Sequence, residues 1–402
     1  MSVLTRDPEC DRELTGASAY GIHDALLTEV CSAMFRTLPR RDQRRKGMEY
    51  VFGLLAASGR KSIRNIAALF RRQAAEQSLH HFVCSSTWDW GPVRNALSEF
   101  VVRVAPPQAW VLRPMIIPKA GEHSVGVDRQ FFADIGHVLN AQRAVGVWAA
   151  SEELCTPVNW RLCLPRAWDH DRKRRARAAL PDTRISETMS DCAINAFLDM
   201  MARSALPTRP VVLDARDLDA TKVMRRMRAA HLPVLARIDG GVRLAVTDPA
   251  LTGHHADVLP AHHIARAAKH FRRPVTWRDG SADALPRTRL VAGVRVRLPR
   301  EVPFSSCQGD LLLLATAEVG KKRPAQLWLT NLTGTDLTAL ARLTTLVDCL
   351  EHNFANIADQ VGVRDFAGRS FGGWHRHMTL ASAAHVVSAI TRRDNAVTSQ
   401  VS

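Results

Sequence analysis

No stretch of the 402-residue chain approaches the roughly 18 consecutive apolar residues that a membrane-crossing helix needs. The opening stretch, MSVLTRDPECDREL, has no apolar core, so no secretory signal is expected there. The eight cysteines (Cys10, Cys31, Cys84, Cys155, Cys163, Cys192, Cys307 and Cys349) include no Cys-x-x-Cys pair. That scatter argues against a disulfide framework and a thiolate zinc site, and fits a reducing, cytoplasmic compartment. Neither a Gly-x-Gly-x-x-Gly nor a phosphate-loop pattern occurs, which leaves nucleotide-dependent chemistry without support. A serine nucleophile on a strand-to-helix elbow is not expected either.

What the chain has in excess is positive charge. Lys and Arg number 55 against 39 Asp and Glu, a formal charge of +16. Hydrophobic residues make up 46%, enough to bury a core and to exclude wholesale disorder. The length suggests two or three domains at roughly 150 residues each. The basic residues cluster: Arg40, Arg41, Arg44, Arg45 and Lys46, followed by Arg60, Lys61 and Arg64. The densest run is Arg172, Lys173, Arg174, Arg175 and Arg177, and a third group, Lys222, Arg225, Arg226 and Arg228, lies on the helical pattern TKVMRRMRAA. One such cluster reads as a solvated helix face. Three of them with this net charge point to a polyanion, and double-stranded DNA is the default partner. None carries the apolar anchors of a membrane-surface helix, so no membrane partner is expected.

Residues 1–105 read as helical. GMEYVFGLLAASGRKSIRNIAALF has helical periodicity broken at Ser58-Gly59, with Ser62 placed to cap the next helix. Pro106-Pro107 ends the pattern. Beyond it, AWVLRPMII, AVGVWAAS, WRLCLP, PVVLDA, LPVLARI and VRLAVT read as strands. Helical patterns alternate with several of them, which predicts an α/β sheet. TRLVAGVRVRL, DLLLLATAEV and QLWLTNL read as further strands without a helix between them, and the chain ends helical. The predicted organisation is therefore a helical domain at 1–105 and an α/β domain at 106–402, with a β-rich insertion at about 240–335.

A series of motifs runs through these segments: Arg60-Lys61-Ser62-Ile63-Arg64-Asn65-Ile66-Ala67, Gln77-Ser78-Leu79-His80-His81-Phe82 and Trp88-Asp89-Trp90. Pro118-Lys119 and His123-Ser124-Val125-Gly126-Val127 follow, then Trp160-Arg161-Leu162 with Leu164-Pro165, and lastly Gly373-Trp374-His375-Arg376-His377. In this order and spacing the chain resembles bacterial insertion-sequence transposases of the DDE, RNase H-like superfamily. The resemblance implies an RNase H-like core with a β-rich insertion behind a helical DNA-binding region. It also implies three carboxylates that hold two divalent ions for in-line phosphoryl transfer.

The family's first motif, Asp-x-Thr-x-Phe-Pro-Lys, puts Pro114 at the first catalytic Asp, beside Arg113, and no acidic residue lies between Glu99 and Glu122. The resemblance carries the second carboxylate to Asp214, followed by Ala215-Arg216-Asp217-Leu218 rather than the family's glycine-rich turn. It carries the third to Glu351, while the family's Tyr, Arg and Lys around it correspond to Thr344, Val347 and Ala358. Asp217 reads as a helix N-cap.

Histidine pairs at His80-His81, His254-His255 and His262-His263, and the His375-x-His377 pattern, lack the spacing of a zinc site, so no metal ligands are assigned among them. Trp88-Asp89-Trp90 reads as packing rather than a base-stacking platform. The expectation is a catalytically inactive, transposase-derived DNA-binding protein acting as a sequence-specific transcriptional regulator and a homodimer. Arg44, Arg45, Lys61 and Arg64 are expected to contact DNA specifically, and Arg172 to Arg177 its phosphates. No cofactor is expected, Mg²⁺ entering only if the rival reading, an active transposase or endonuclease, holds. A second rival is a scaffold that does not depend on DNA.

Overall fold

The computed structural model describes residues 24–401 apart from 71, 73, 133–135, 252, 254–256, 279–284, 300–308 and 321–325, with the backbone alone for 396–401. The His254-His255 pair lies outside the described residues.

Helices α1 (Asp24–Phe35), α2 (Arg41–Ala56), α3 (Ile63–Ala67), α4 (Ala75–His80) and α5 (Trp90–Val104) come first. Ser62 caps α3 as its position predicts, its hydroxyl accepting from the Asn65 amide. After Pro106-Pro107 the chain enters β1 (Ala109–Pro118), β2 (Asp128–Phe132), β3 (His137–Ala150) and β4 (Cys155–Cys163). Next come α6 (Arg172–Arg177), α7 (Met189–Arg203), β5 (Val211–Asp214), α8 (Ala220–Ala229) and β6 (Val234–Ile238). The cap of α8 is Asp219, two residues past the expected Asp217, accepting from the Lys222 amide.

Strands β4, β3, β1, β5 and β6 lie side by side in that order. β3 is antiparallel to both β1 and β4, whereas β1, β5 and β6 run parallel. This mixed α/β sheet is consistent with an RNase H-like fold. The parallel strands are unbroken apolar runs because both faces are covered: Val211, Val212, Leu213, Val234, Leu235 and Ala236 are all fully buried. Pro114 has no N–H for a ladder, and it falls just past Leu112, the last β1 residue paired with β5.

The predicted β-rich insertion does not form a separate sheet. It contributes β7 (Arg243–Val246), β8 (Val258–Pro260), α9 (Ala261–Ala267), β9 (Arg273–Trp277), β10 (Arg287–Arg297), β11 (Leu311–Glu318) and β12 (Gln326–Thr330). β12 pairs antiparallel with β6, which extends the core sheet through β11 and β10 to β7 and β8. The chain closes with α10 (Leu337–Asn353), one wide turn at Phe354–Ala358, and the long α11 (Phe371–Val401).

α11 packs against β4 and also against α2 and α5, so the N-terminal helices and the sheet share one hydrophobic core. Buried polar side chains tie the two parts together. The Tyr50 hydroxyl lies 3.0 Å from His377 Nδ1. The Arg94 guanidinium donates to Thr379 Oγ1 at 3.0 Å and to the Trp160 carbonyl at 2.9 Å.

Candidate functional site

β5 ends on Asp214, which stands in register with Arg237 on β6. That register brings Arg237 Nη1 to 3.5 Å from Asp214 Oδ2. Arg216, two residues on, folds back across the same carboxylate. Its Nε lies 2.9 and 3.0 Å from the two oxygens and its Nη2 donates to Oδ2 at 2.7 Å. One step beyond the paired Leu112 and Leu213, the next residues along β1 and β5 are Arg113 and Asp214. Three neighbouring strands thus carry cation, anion and cation in a row.

α10 delivers the second carboxylate. Arg113 Nε and Nη2 donate to Glu351 Oε1 and Oε2, each at 2.8 Å, in a two-pronged pair. Phe354 is three residues further along the helical path, on the same face as Glu351. The Arg113 guanidinium lies 3.6 Å above its ring centroid, and Arg364 approaches the same ring at 5.6 Å. The positions around Glu351 are built into the fold: Val347 and Ala358 are core, and the buried Thr344 hydroxyl accepts from Arg289 at 3.0 Å.

The family resemblance puts Pro114 at the head of this constellation, whereas the side chain that β1 presents to Glu351 is Arg113. Successive strand residues face opposite sides of a sheet, so Pro114 and Arg113 do not share a face. A divalent ion needs hard anionic oxygens free to approach it. Both oxygens of Glu351 face Arg113 and both of Asp214 face Arg216, so these residues do not fit such an ion. Among the described residues no group of three or more His, Cys, Asp or Glu is arranged to hold a metal.

The sequence-predicted DNA contacts divide into two kinds. Arg64 is exposed on α3. Arg44 and Arg45 are half-buried on α2, Arg44 donating to the Pro39 carbonyl and Arg45 lying 3.5 Å from Glu49. Lys61 is buried: its ammonium donates to the Ala57 carbonyl, and its stem lies against Gly362. The structure therefore withdraws Lys61 from the surface, and burial lowers its pKa.

The α6 cluster splits likewise. Arg174 donates to the carbonyls of Glu122 and Val127 while stacking 4.4 Å from Trp168. Arg175 donates to the carbonyls of Trp168, Pro181 and Arg184. Arg172, Lys173 and Arg177 point the other way: Arg172 and Lys173 are exposed, as is Arg177. No residue type or spacing within RKRRAR marks which arginines are anchors.

Residues 359–371 join these parts. Arg364 reaches Phe354 at the carboxylate site, and Asp365 accepts from the Lys61 amide at 2.7 Å. The Phe366 carbonyl accepts from Lys119 at 2.5 Å, the Arg369 carbonyl from the Val125 amide, and the Phe371 amide donates to the Ala178 carbonyl just past α6. The turn carrying Arg60 and Lys61 just before α3, the α6 cluster and the Arg113–Glu351 pair thus flank one segment that sequence reasoning missed.

Several motif blocks turn out to meet inside the core. Trp90 stacks on His375 with centroids 4.8 Å apart and ring planes 6° apart. Trp88 is buried against Phe82, and Arg376 donates to its carbonyl. His377 Nε2 is 2.9 Å from the Gly362 carbonyl, which fixes that nitrogen as the donor and leaves Nδ1 to accept from Tyr50. Gly368-Arg369-Ser370-Phe371-Gly372 does match the Gly-x-Ser-x-Gly spacing, which the sequence reading passed over. Ser370 is nonetheless no elbow. It follows a strand-free segment, donates to the Cys84 carbonyl and accepts from the Gly373 amide at the start of α11.

No helix of the described residues is long and apolar enough to cross a membrane. No curated protein matches this chain. The family described as DDE superfamily endonuclease matches residues 33–289, well over half of the chain and including Arg113, Pro114 and Asp214, and the chain belongs to that family.

Proposed function

We propose that this protein is a transposase-derived DNA-binding protein that has lost phosphoryl transfer and acts as a sequence-specific transcriptional regulator, working as a homodimer. The observation that carries the reading is the Arg113–Glu351 pair. In a two-metal phosphoryl-transfer site, anionic oxygens converge on divalent ions. In this reading the Arg113 guanidinium, paired with Glu351, stands where an ion would have to approach that carboxylate, and a permanently charged arginine repels a divalent cation at any accessible pH.

DNA binding is supported by family membership and by the basic groups on either side of residues 359–371. In this reading Arg64 and the half-buried Arg44 and Arg45 face the bases or the near backbone. Arg172, Lys173 and Arg177 supply phosphate contacts without sequence preference. Lys61 and the inward-pointing Arg174 and Arg175 hold the surface in shape.

The test is occupancy across the host genome followed by gel shifts on the recovered sites, with nicking assayed under Mg²⁺ and Mn²⁺. A few sharp promoter peaks, bound and uncut, fit the proposal. Cleavage abolished by Asp214→Ala and Glu351→Ala would establish the active enzyme instead. Diffuse occupancy, indifferent to neutralising α6, would leave the scaffold reading.

A further inference from the structure

A second recess, sharing no residue with the Arg113–Glu351 site, opens between the start of α5, the end of β4, the turn before α7 and the first turn of α11. Its volume is about 430 Å³, inside the roughly 300–1,000 Å³ of small-molecule sites. Arg94, Arg161, Arg184 and Arg203 line it, with Asp89, Glu187 and Asp199 as the carboxylates.

These charges do not cancel locally. Arg161 takes up both oxygens of Glu187 at 2.7 and 3.0 Å and Asp199 at 2.6 Å. Arg184 and Arg203 are left 3.9 and 3.6 Å from Asp199, outside hydrogen-bond reach. Asp89 is occupied as the α5 cap, accepting from the Gly91 amide at 2.8 Å. Arg94 is only 5% exposed, and it meets neutral groups alone: Thr379, Asn159, and the carbonyls of Trp160 and His375.

A buried guanidinium without a counter-ion is costly unless another charge offsets it. Burial and the nearby Arg203 push Arg94 down to about 9, and burial with Arg161 lowers Arg184 too. His375 is held neutral by burial and by Arg94. Burial is the largest cause for all three and neighbouring arginines add to it, while Asp89 acts against the shift at Arg94, and Asp199 and Glu187 at Arg184. The rest of the wall is apolar or aromatic, with Trp90, Leu164 and Phe371 lining it and Ile185 exposed at its edge.

We propose that the recess binds a phosphate ester of mononucleotide size, its phosphate between Arg184 and Arg203 and its organic part along Trp90 and Ile185. The phosphate is either that of a free nucleotide or the 5′ end of a DNA strand, the recognition chemistry being the same. The site does not depend on the regulator reading, since it shares no side chain with the carboxylate site or with α6.

Calorimetric titration of the full chain tests it with three probes: inorganic phosphate, AMP, and a short 5′-phosphorylated oligonucleotide beside its unphosphorylated twin. Saturable binding of AMP is expected, at least tenfold weaker in the Arg184→Ala/Arg203→Ala double variant. It should be unchanged in Arg172→Ala/Lys173→Ala/Arg177→Ala and retained within about threefold when Arg184 and Arg203 become lysines. Inorganic phosphate should compete. If AMP does not bind, but the 5′-phosphorylated oligonucleotide binds more tightly than its unphosphorylated twin and loses that gain in the Arg184→Ala/Arg203→Ala variant, the site is for a strand end. AMP binding, or a gain from the 5′ phosphate, that is insensitive to the Arg184 and Arg203 changes overturns the proposal, as does AMP binding that disappears with the α6 residues or the absence of both signals.

Discussion

Arg113 and Glu351 are 238 residues apart in the chain and meet through two hydrogen bonds of 2.8 Å each. Helix α10 carries Glu351 to Arg113 in the middle of β1, and Phe354 on the same helical face provides the ring on which the guanidinium rests. Removing the cation frees the carboxylate. Arg113→Ala is expected to leave Glu351 unpaired and to raise the affinity of the protein for Mn²⁺, read by the paramagnetic broadening of bound metal. Wild-type protein should show no saturable Mn²⁺ binding that Glu351→Gln removes.

Arginines that look equivalent in sequence should separate in experiment. Substituting Arg172, Lys173 and Arg177 by alanine is expected to weaken DNA binding uniformly across sequences and to reduce the slope of log K against log salt by up to about 3, with the melting temperature unchanged. Arg174→Ala should instead lower the melting temperature, because it removes the hydrogen bonds to the Glu122 and Val127 carbonyls and the contact with Trp168. Equal salt slopes for the two variants would contradict this division.

Stability should fall on mild acidification. His377 and His385 are fully buried, and desolvation pushes them down to about 4 and about 3. In the unfolded chain both titrate near their ordinary value, roughly 6.5. Between that value and the folded one the unfolded state binds more protons, so stability is complete above about pH 6.5 and is lost as the pH falls. Each histidine then costs roughly 1.4 kcal/mol per pH unit across the window. Melting curves from pH 7 to pH 5 check this. His385→Leu should flatten the dependence, and a flat wild-type profile would count against buried neutral histidines.

Gly146 lies in β3 between two buried indoles. An added Cβ would sit 2.7 Å from Trp160 Cζ3 and 2.8 Å from Trp148 Nε1. Gly146→Ala is therefore expected to destabilise the fold by about 1–3 kcal/mol, read by denaturant unfolding, since two packed tryptophans cannot both yield.

Much of this fold was legible because buried parallel strands are written as continuous apolar runs: PVVLDA and LPVLARI become β5 and β6 nearly residue for residue. β2 and β9 were not read, being short and half-exposed, with no run long enough to stand out. That β12 returns beside β6 is a long-range pairing, invisible to local periodicity.

At the candidate site the carboxylates Asp214 and Glu351 were visible as motif positions, but their partners were not. Arg237 reaches Asp214 only through strand register, and Arg113 reaches Glu351 only through the packing of α10. Lys61 shows the converse. A charge cluster gives no sign of which stem will be covered, and here Gly362 arrives from 301 residues further along to cover it. Trp88-Asp89-Trp90 reads as packing, and Trp88 on Phe82 and Trp90 on His375 fill that place.

The most direct test of the account is a single assay. Purified full-length protein is mixed with DNA fragments recovered from its own occupied sites, with Mg²⁺, with Mn²⁺ and with EDTA, and each mixture is divided between a native gel and a denaturing gel. The account predicts the same retarded band in all three conditions and intact strands throughout. Strand breaks that appear with metal and vanish in Glu351→Gln would contradict it.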